Sequence, residues 1–518
     1  MLKHFAIHSL FSAIAGLSMV FANFVCGVIV ANLLGVDGAG VVAFVLWIAL
    51  VVAPVIDGGT ALSVSRFPAN LRGQADSHAA EVLPGVLARR LLLYNSLALI
   101  ALASLYLNFS DPALRSMALM LGDLNSGLPL YVVITGLVLA LFQSLATFGT
   151  AYLRGSQQFT ALGVLTFISM IASIVSVSVG IRLYGTLGAI AGYAAGQLCL
   201  VCATLPVLWR RGVISPELGR EVRRYARFAW AANVCSTFVW SRIEILFLQI
   251  FWNFREVGLF NTALALAALA SQGPLLLTGA FPPMLSEKQG RNDRAGLQFA
   301  FASGTRILAM IAFPSCLGMA AVAPTLIRLL YGAEFEDAAP AAMVVMTAAA
   351  LTITTVIGTH LVTAFGRSDF IFISSLTGAV LSVTIGLLLV PPLGLIGAAA
   401  ARALVQLVMI GLGLWFITYQ LGFTYPFRSL LGILAAALVA ALAAFLAAAL
   451  VRGPAGLLGA ACLNVLVYVA GLRFLGAAHP DDILLARRLS SALPPPLAKT
   501  TNALLSIICP VRAPAAAP

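Results

Sequence analysis

Apolar residues in this chain neither alternate nor recur as a narrow stripe; they come in long blocks separated by short polar stretches. A helix needs about 20 mostly apolar residues to cross the hydrocarbon core of a bilayer. Blocks of that length lie near residues 8–34, 39–60, 89–108, 128–150, 159–181 and 186–208. The basic stretch RRGVISPELGREVRRYARF, from Arg210 to Phe228, interrupts them. They resume near 228–252, 257–281, 299–323, 340–364, 370–390 and 394–418, and two Ala- and Leu-rich blocks follow near 428–451 and 455–476. The pattern predicts an all-α integral membrane protein of about fourteen transmembrane helices. It divides into a six-helix lobe over 1–212, a second over 213–425, helices 13 and 14 over 426–478, and a Pro- and Ala-rich tail over 479–518. Within that tail, Asp481 to Leu493 reads as a short amphipathic helix on the membrane surface.

Composition strengthens this picture. The 518 residues are 61% hydrophobic and 9% charged, where a soluble domain carries about 25% charged residues. A mean hydropathy of +1.02 leaves too much apolar surface for a soluble fold to hide. The net charge of +12 does not point to nucleic acid, because the basic residues are scattered between apolar runs instead of gathered on one face. It reads as topology, since Lys and Arg are retained on the cytoplasmic side of membrane proteins. Counted loop by loop from a cytoplasmic N-terminus, 22 of the 30 fall inside, 5 outside (Arg115, Arg182, Arg255, Arg328, Arg452) and 3 within spans. One miscounted helix would invert the bias downstream, so fourteen crossings with both termini cytoplasmic are self-consistent. Lys3 and the apolar run after it lack a cleavage site and read as an uncleaved first span. Cys199 and Cys202 form a C-x-x-C on an apolar helix, where thiols pack as small hydrophobes.

The two six-helix blocks also look like copies. Gly155 and Phe159 precede a span that leads into YGTLGAIAGYAAGQL, and Gly366 and Phe370 precede one that leads into PPLGLIGAAAARALVQL. Gly185 and Gly188 thereby match Gly394 and Gly397, and Gly40, opening span two, matches Gly258, opening span eight. Two parallel copies predict two pseudo-symmetric six-helix bundles with a cavity between them.

At this point the chain resembles the oligosaccharide-lipid flippase family, the Wzx-like polysaccharide transporters, of the multidrug/oligosaccharidyl-lipid/polysaccharide exporter superfamily, which also holds multidrug antiporters and the lipid II flippase. The resemblance rests on ANLLGVDGAGVVAFVLWIAL at the first turn-around, Asp57-Gly58-Gly59 followed by Arg66, and the Gly-x-x-Gly-Ala openings of spans six and twelve, within residues 1 to about 475. It implies alternating access between two bundles and a bacterial inner-membrane location. The implied cargo is undecaprenyl-diphosphate-linked oligosaccharide, an O-antigen (lipopolysaccharide) or exopolysaccharide repeat unit. The implied partners are the lipid bilayer, that polyprenyl-diphosphate-linked glycan, a polysaccharide polymerase and glycosyltransferases, with no nucleic acid and no cofactor. The paired basic residues expected of a lipid II flippase in the first two spans are not found here.

A diphosphate cargo needs cations in a polar cavity, and a charge at mid-bilayer costs about 2.5 to 3.5 kcal/mol, so intramembrane arginines face a cavity or a partner. Arg242 is the sharpest case: some 15 residues into span seven, at 1.5 Å each, it lies about 22 Å deep. It reads either as a cavity cation or as part of a buried pair with Glu244, which two positions on points to another face. Glu244 reads as a protonation site for ion coupling or as an outer-interface residue. Arg306 and Arg402 lie about 10 to 12 Å inside their spans, where a long side chain either lines the cavity or snorkels. Asp57 resembles the family's acidic position in span two, which makes it a gating or hinge candidate, or else it caps a helix or pairs with Arg66. His360 reads as a solvated or capping residue. Asn23, Gln143, Gln197 and Asn233 read as helix-to-helix hydrogen-bonding groups. Gly188, Gly192 and Gly196 share one face that admits a neighbouring helix, and Pro54, Pro274 and Pro314 interrupt spans as hinge candidates.

Other function classes leave no signature. The chain has no P-loop, no metal-spaced His/Cys cluster and no nucleophile elbow, so it is read as a transporter and not an enzyme. The rivals are an ion-coupled multidrug exporter of the same superfamily, which typically stops at twelve spans and uses acidic cavity residues, and a membrane-embedded glycosyltransferase or ligase. The latter needs a long outer segment, and the longest here, near 109–127, holds only Asp111 and Asp123 as acidic residues. The topology is testable: in a cysteine-free background, Ser77→Cys, Ser215→Cys and Thr500→Cys react with impermeant thiol reagents from the cytoplasmic side alone. Periplasmic labelling at position 215 contradicts the two-lobe arrangement.

Overall fold

The computed structural model describes residues 2–74, 76–108, 130–210, 212–240, 242–451, 453–477 and 482, with side chains in the first helix from Ala15 onward. The expected outer loop with Asp111, Arg115 and Asp123, the position of Arg452, Thr500, and the Asp481–Leu493 segment apart from Asp482 lie outside the described residues. All elements among the described residues are helical. In chain order they begin α1 Leu2–Asp57, α2 Thr60–Gly73, α3 Ser77–Asn108, α4 Leu130–Gly155, α5 Phe159–Cys202, α6 Leu205–Leu208, α7 Pro216–Trp240, α8 Glu244–Phe251 and α9 Phe254–Leu276. They continue α10 Phe281–Gly290, α11 Arg294–Ala321, α12 Ala323–Leu330, α13 Ala339–Ile353, α14 Val356–Ala364, α15 Ser368–Trp415, α16 Phe427–Leu450 and α17 Pro454–Leu475.

Ten stretches among the described residues are long and apolar enough to cross a membrane. Three of them, at 43, 44 and 52 residues, are twice the length a crossing needs. Each is split by a non-helical glycine: Gly35 in α1, Gly185 in α5 and Gly394 in α15. Ten stretches with three doubled make thirteen crossings, and α7 with α8 makes an interrupted fourteenth, in keeping with the expected count.

The second and third of these breaks carry the internal repeat. Gly185 sits at φ 56°, ψ −132° and Gly394 at φ 53°, ψ −127°, conformations open to glycine and strained for other residues. Helix α5 starts at Phe159 and α15 at Ser368, so each break falls 26 residues after its helix begins. The copies are therefore offset by 209 residues. Phe159 and Phe370 stand 211 apart, so pairing them misreads the register by two; the backbone breaks, not the aromatic residues, keep the count. After the break the chain returns antiparallel: a Cβ on Gly188, Gly192 or Gly196 would strike Gly180, Val177 or Ser173 of the same hairpin. The glycine face thus admits the other half of α5. Ser169 Oγ donates to the Gly196 carbonyl at 2.8 Å across this contact.

The chain forms two compact units, residues 1–261 with 375–398, and residues 262–374 with 399–518. In the first, Val64, Phe67 and Leu71 recur at helical spacing on α2 and meet Leu83, Leu87 and Leu91 of α3 and Phe148 of α4, all nearly solvent-free. Gly40 and Gly258, the matched span-opening glycines, abut one another: a Cβ on Gly40 would hit the Phe254 carbonyl, and one on Gly258 the Val36 carbonyl. Gln197 Nε2 donates to Gln143 Oε1 at 2.6 Å, joining α5 to α4 as interhelical polar residues do in lipid. Arg89 of α3 donates to the carbonyls of Leu208 and Arg210, at 3.5 and 2.9 Å, where span six ends.

The second unit repeats that last device. Arg294 of α11 donates to the carbonyls of Leu421 and Gly422, at 2.8 and 3.3 Å, where span twelve ends. Both arginines place positive charge on the carbonyl end of a helix, where it is favourable. Asp293 caps α11 by accepting from the Gly296 N–H at 2.8 Å, a bond that, with Lys288, pulls its carboxyl below the usual range. Phe301 makes edge contacts with Phe423 and Tyr425 beside this cap.

Helix α11 contains Pro314, which has no N–H and so cannot bond the Met310 carbonyl four residues earlier. Tyr468 Oη on α17 donates to that carbonyl at 2.8 Å, and Asn464 Nδ2 donates to the Pro314 carbonyl at 3.3 Å. The last helix thereby replaces the hydrogen bond the proline removes. Tyr468→Phe is expected to lower stability by about 1 kcal/mol, read from thermal unfolding in mild detergent. In a Pro314→Ala background the cost shrinks, because the alanine N–H takes over the carbonyl. An equal cost in both backgrounds would refute this account.

Candidate functional site

Asp57 ends α1 and is almost fully buried. Its carboxylate accepts from Thr60 Oγ1 at 2.6 Å, the Ala61 N–H at 3.0 Å and the Gly59 N–H at 3.1 Å. It is the cap of α2, one of the alternatives its sequence position left open, and the turn it closes is tight. Gly58 and Gly59 both have positive φ, and a Cβ on either would strike the Tyr94 ring or the Ala226 carbonyl of α7. The Arg66 guanidinium lies 4.5 Å from the centre of the Tyr225 ring on α7 and 5.7 Å from that of Phe67. The Asp57-Gly58-Gly59 turn and Arg66 therefore bracket one junction: the end of span two against α7.

Span seven is not the continuous helix that the depth of Arg242 assumed. Helix α7 ends at Trp240 and α8 begins at Glu244, with Arg242 in the left-handed region at φ 61°. A non-glycine residue held there costs roughly 1 to 3 kcal/mol and persists where the surroundings impose it, as at functional sites. No proline or glycine marks the break: the sequence between Trp240 and Glu244 reads Ser-Arg-Ile. Arg242 is half-buried. Glu244, 4% exposed, occupies the first turn of α8, where the helix dipole favours a carboxylate. A cation and a buried carboxylate thus stand together at a discontinuous point in a membrane helix, the arrangement by which broken helices present charge and backbone to a cavity.

Arg306 has a partner that the sequence did not suggest. Its Nε and Nη2 bind both oxygens of Asp482, at 2.7 and 2.6 Å, and Nη2 also donates to Ser303 Oγ at 3.1 Å. The side chains are 13% and 1% exposed, so this is a buried bidentate pair. Arg402 is half-buried on the second half of α15. His360 is half-buried on α14. The six predicted residues divide between the units: Asp57, Arg66, Arg242 and Glu244 in the first, Arg306 and Arg402 in the second.

Known proteins place this architecture. Residues 114–340 match a family model described as polysaccharide biosynthesis protein. No curated protein matches the sequence. The lipid II flippase MurJ, in an inward closed conformation, is similar with TM-score 0.71 at 15% identity, over 90% of this chain and 98% of that one. A multidrug resistance MATE family transporter of the MOP superfamily, inward-facing, gives 0.63 at 16% identity over 79% and 97%. The chain has the fold of the MOP superfamily. A further MOP transporter, from Pyrococcus furiosus, gives 0.53 at 17% identity over 80% and 95%. The resemblance expected from the glycine repeat and the span count is borne out at this level.

Within the MOP fold, the residue that sequence reasoning passed over is Asp482. The one available signal was an acidic pair, Asp481-Asp482, just past the last span of a chain with few acids. Removing one partner of a buried ion pair leaves the other charge uncompensated, at roughly 3 to 5 kcal/mol. Asp482→Ala is therefore expected to lower the unfolding temperature sharply, and the double change Arg306→Leu with Asp482→Leu to recover most of the loss. An Asp482→Ala protein as stable as the parent would show that the pair carries no such weight.

Proposed function

We propose that the protein is an alternating-access flippase that moves an undecaprenyl-diphosphate-linked oligosaccharide, an O-antigen or exopolysaccharide repeat unit, from the cytoplasmic to the periplasmic leaflet of a bacterial inner membrane. The observation that carries the reading is the match of residues 114–340 to the polysaccharide biosynthesis family, on a chain with the MOP fold. In this reading both termini are cytoplasmic, and the cargo arrives from glycosyltransferases and leaves to a polymerase. Arg242, at the break in span seven, is the cationic contact for the diphosphate, with Arg402 as a second. Arg306, held by Asp482 in this structure, is the third cation of the reading. Glu244 serves as the coupling carboxylate. Asp57 and Arg66, at the junction of span two with α7, act as the gate: the glycine turn flexes, while the Arg66–Tyr225 contact holds one position.

An ion-coupled multidrug exporter is the second reading, and the MATE likeness supports it. Against it stand the basic character of the residue at the break and the greater share of the chain matched by the lipid II flippase, 90% against 79%. An embedded glycosyltransferase or ligase has no such support. Native mass spectrometry of detergent-purified protein separates the classes: a retained polyprenyl-diphosphate glycan is expected, and a retained cationic drug with no lipid-linked sugar would overturn the proposal.

The site has its own test. Arg242→Ala is expected to abolish glycan export while reaching the membrane in normal amounts, and Arg242→Lys to keep part of it. Lysine preserves the charge and loses the bidentate fork. Wild-type export by a normally inserted Arg242→Ala protein removes Arg242 from the site. Failure of that variant to accumulate, rescued by Glu244→Ala, assigns Arg242 to a structural pair instead.

A further inference from the structure

The segment that links span six to span seven carries a surface that transport does not account for. Between Arg210 and Arg227 it holds six arginines against Glu217 and Glu221, a net charge of +4. In α7, Arg220, Arg223, Arg224 and Arg227 recur at i, i+3, i+4 and i+7, which at 3.6 residues per turn gathers them in an arc of about 100°. All four are exposed. The opposite face, Val222 and Ala226, is buried, with Val222 in the core that α2, α3 and α4 share. Tyr225 packs edge-on against Phe67 of α2, and Trp230 Nε1 donates to the Val55 carbonyl at 3.1 Å. The helix is therefore fixed by one side, and its rotation presents the arginines outward.

Like charges at i,i+3 and i,i+4 repel, and among the described residues none of these four meets a carboxylate. A structural role would have supplied counter-charges. The stripe's flanks are apolar: Phe228 beside it is 72% exposed, and Trp209 and Val213 just upstream are 81% and 88% exposed. Bare cations bordered by bare aromatic and aliphatic side chains, at the start of a membrane span, form the composition of a helix lying at the headgroup level.

We propose that the Arg220–Arg223–Arg224–Arg227 face of α7 is a docking surface for anionic phospholipid headgroups, with guanidinium groups on lipid phosphates and Phe228 and Trp209 in the acyl boundary. The partner is selected by charge complementarity, because a zwitterionic headgroup offers the stripe no net negative charge. The lipid fixes α7 from outside as Tyr225 and Trp230 fix it from inside. The surface lies apart from Arg242, so the inference does not depend on which cargo is carried.

The test uses the full-length protein in mild detergent, titrated with phosphatidylglycerol and, in parallel, phosphatidylethanolamine and inorganic phosphate, while the melting temperature is followed and retained lipids are counted by native mass spectrometry. Phosphatidylglycerol is expected to raise the melting temperature and stay bound, with an effect that weakens at high salt. The combined change R220Q, R223Q, R224Q and R227Q is expected to weaken retention about tenfold or more, and the corresponding four lysines to keep most of it. Equal retention by the parent and the glutamine variant overturns the proposal. So does stabilisation of the parent by inorganic phosphate alone to the same extent, which would make the stripe a free-phosphate site. If the glutamine variant melts lower before any lipid is added, retention by its folded fraction decides between the outcomes.

Discussion

No water reaches the hydrocarbon core to satisfy a backbone group, so each place where a membrane helix breaks must bring its own hydrogen-bond partner. This constraint orders most of what is distinctive here. At Pro314 the freed carbonyl goes to a tyrosine on another helix. At the Gly58-Gly59 turn, Asp57 takes the opening N–H groups of α2. At the Gly394 break, Glu256 accepts the Leu395 N–H at 3.0 Å, while Trp252 donates to the Val390 carbonyl at 2.9 Å on the other side. Polar residues in a chain this apolar are few, and many of them are spent in this way.

The same constraint explains how much could be read in advance. Fourteen crossings were legible because a membrane demands apolar runs of fixed length. The repeat was legible in Gly185, Gly188, Gly394 and Gly397, because a left-handed turn and a close helix approach both exclude a side chain. Phe159 and Phe370 misled by two residues, since an aromatic at a helix start is not held to one position by any comparable rule.

What stayed hidden depends on distance in sequence or on strain. The break at Arg242 has no glycine or proline to announce it, so a run that reads as one helix folds as two. Asp482 lies 176 residues beyond Arg306, and no local pattern ties them. The cap made by Asp57 could be seen only as one alternative among three, because the same Asp-Gly-Gly suits a cap, a hinge or an ion pair. The carboxylate's bonds to Thr60 and Ala61, which mark the cap, exist only in the folded turn.

The ties between α17 and α11 bear on what a shortened form of this chain would be. Helices 13 and 14 follow a pair of six-helix copies and resemble an appendage that could be lost without consequence. Yet Tyr468 and Asn464 are the groups that meet the two carbonyls around Pro314, and α16 lines the same helix. A chain ending before Phe427 would leave a bare carbonyl facing lipid tails. The proline and the final helices are thus bound to each other's presence, and neither can be trimmed or straightened alone.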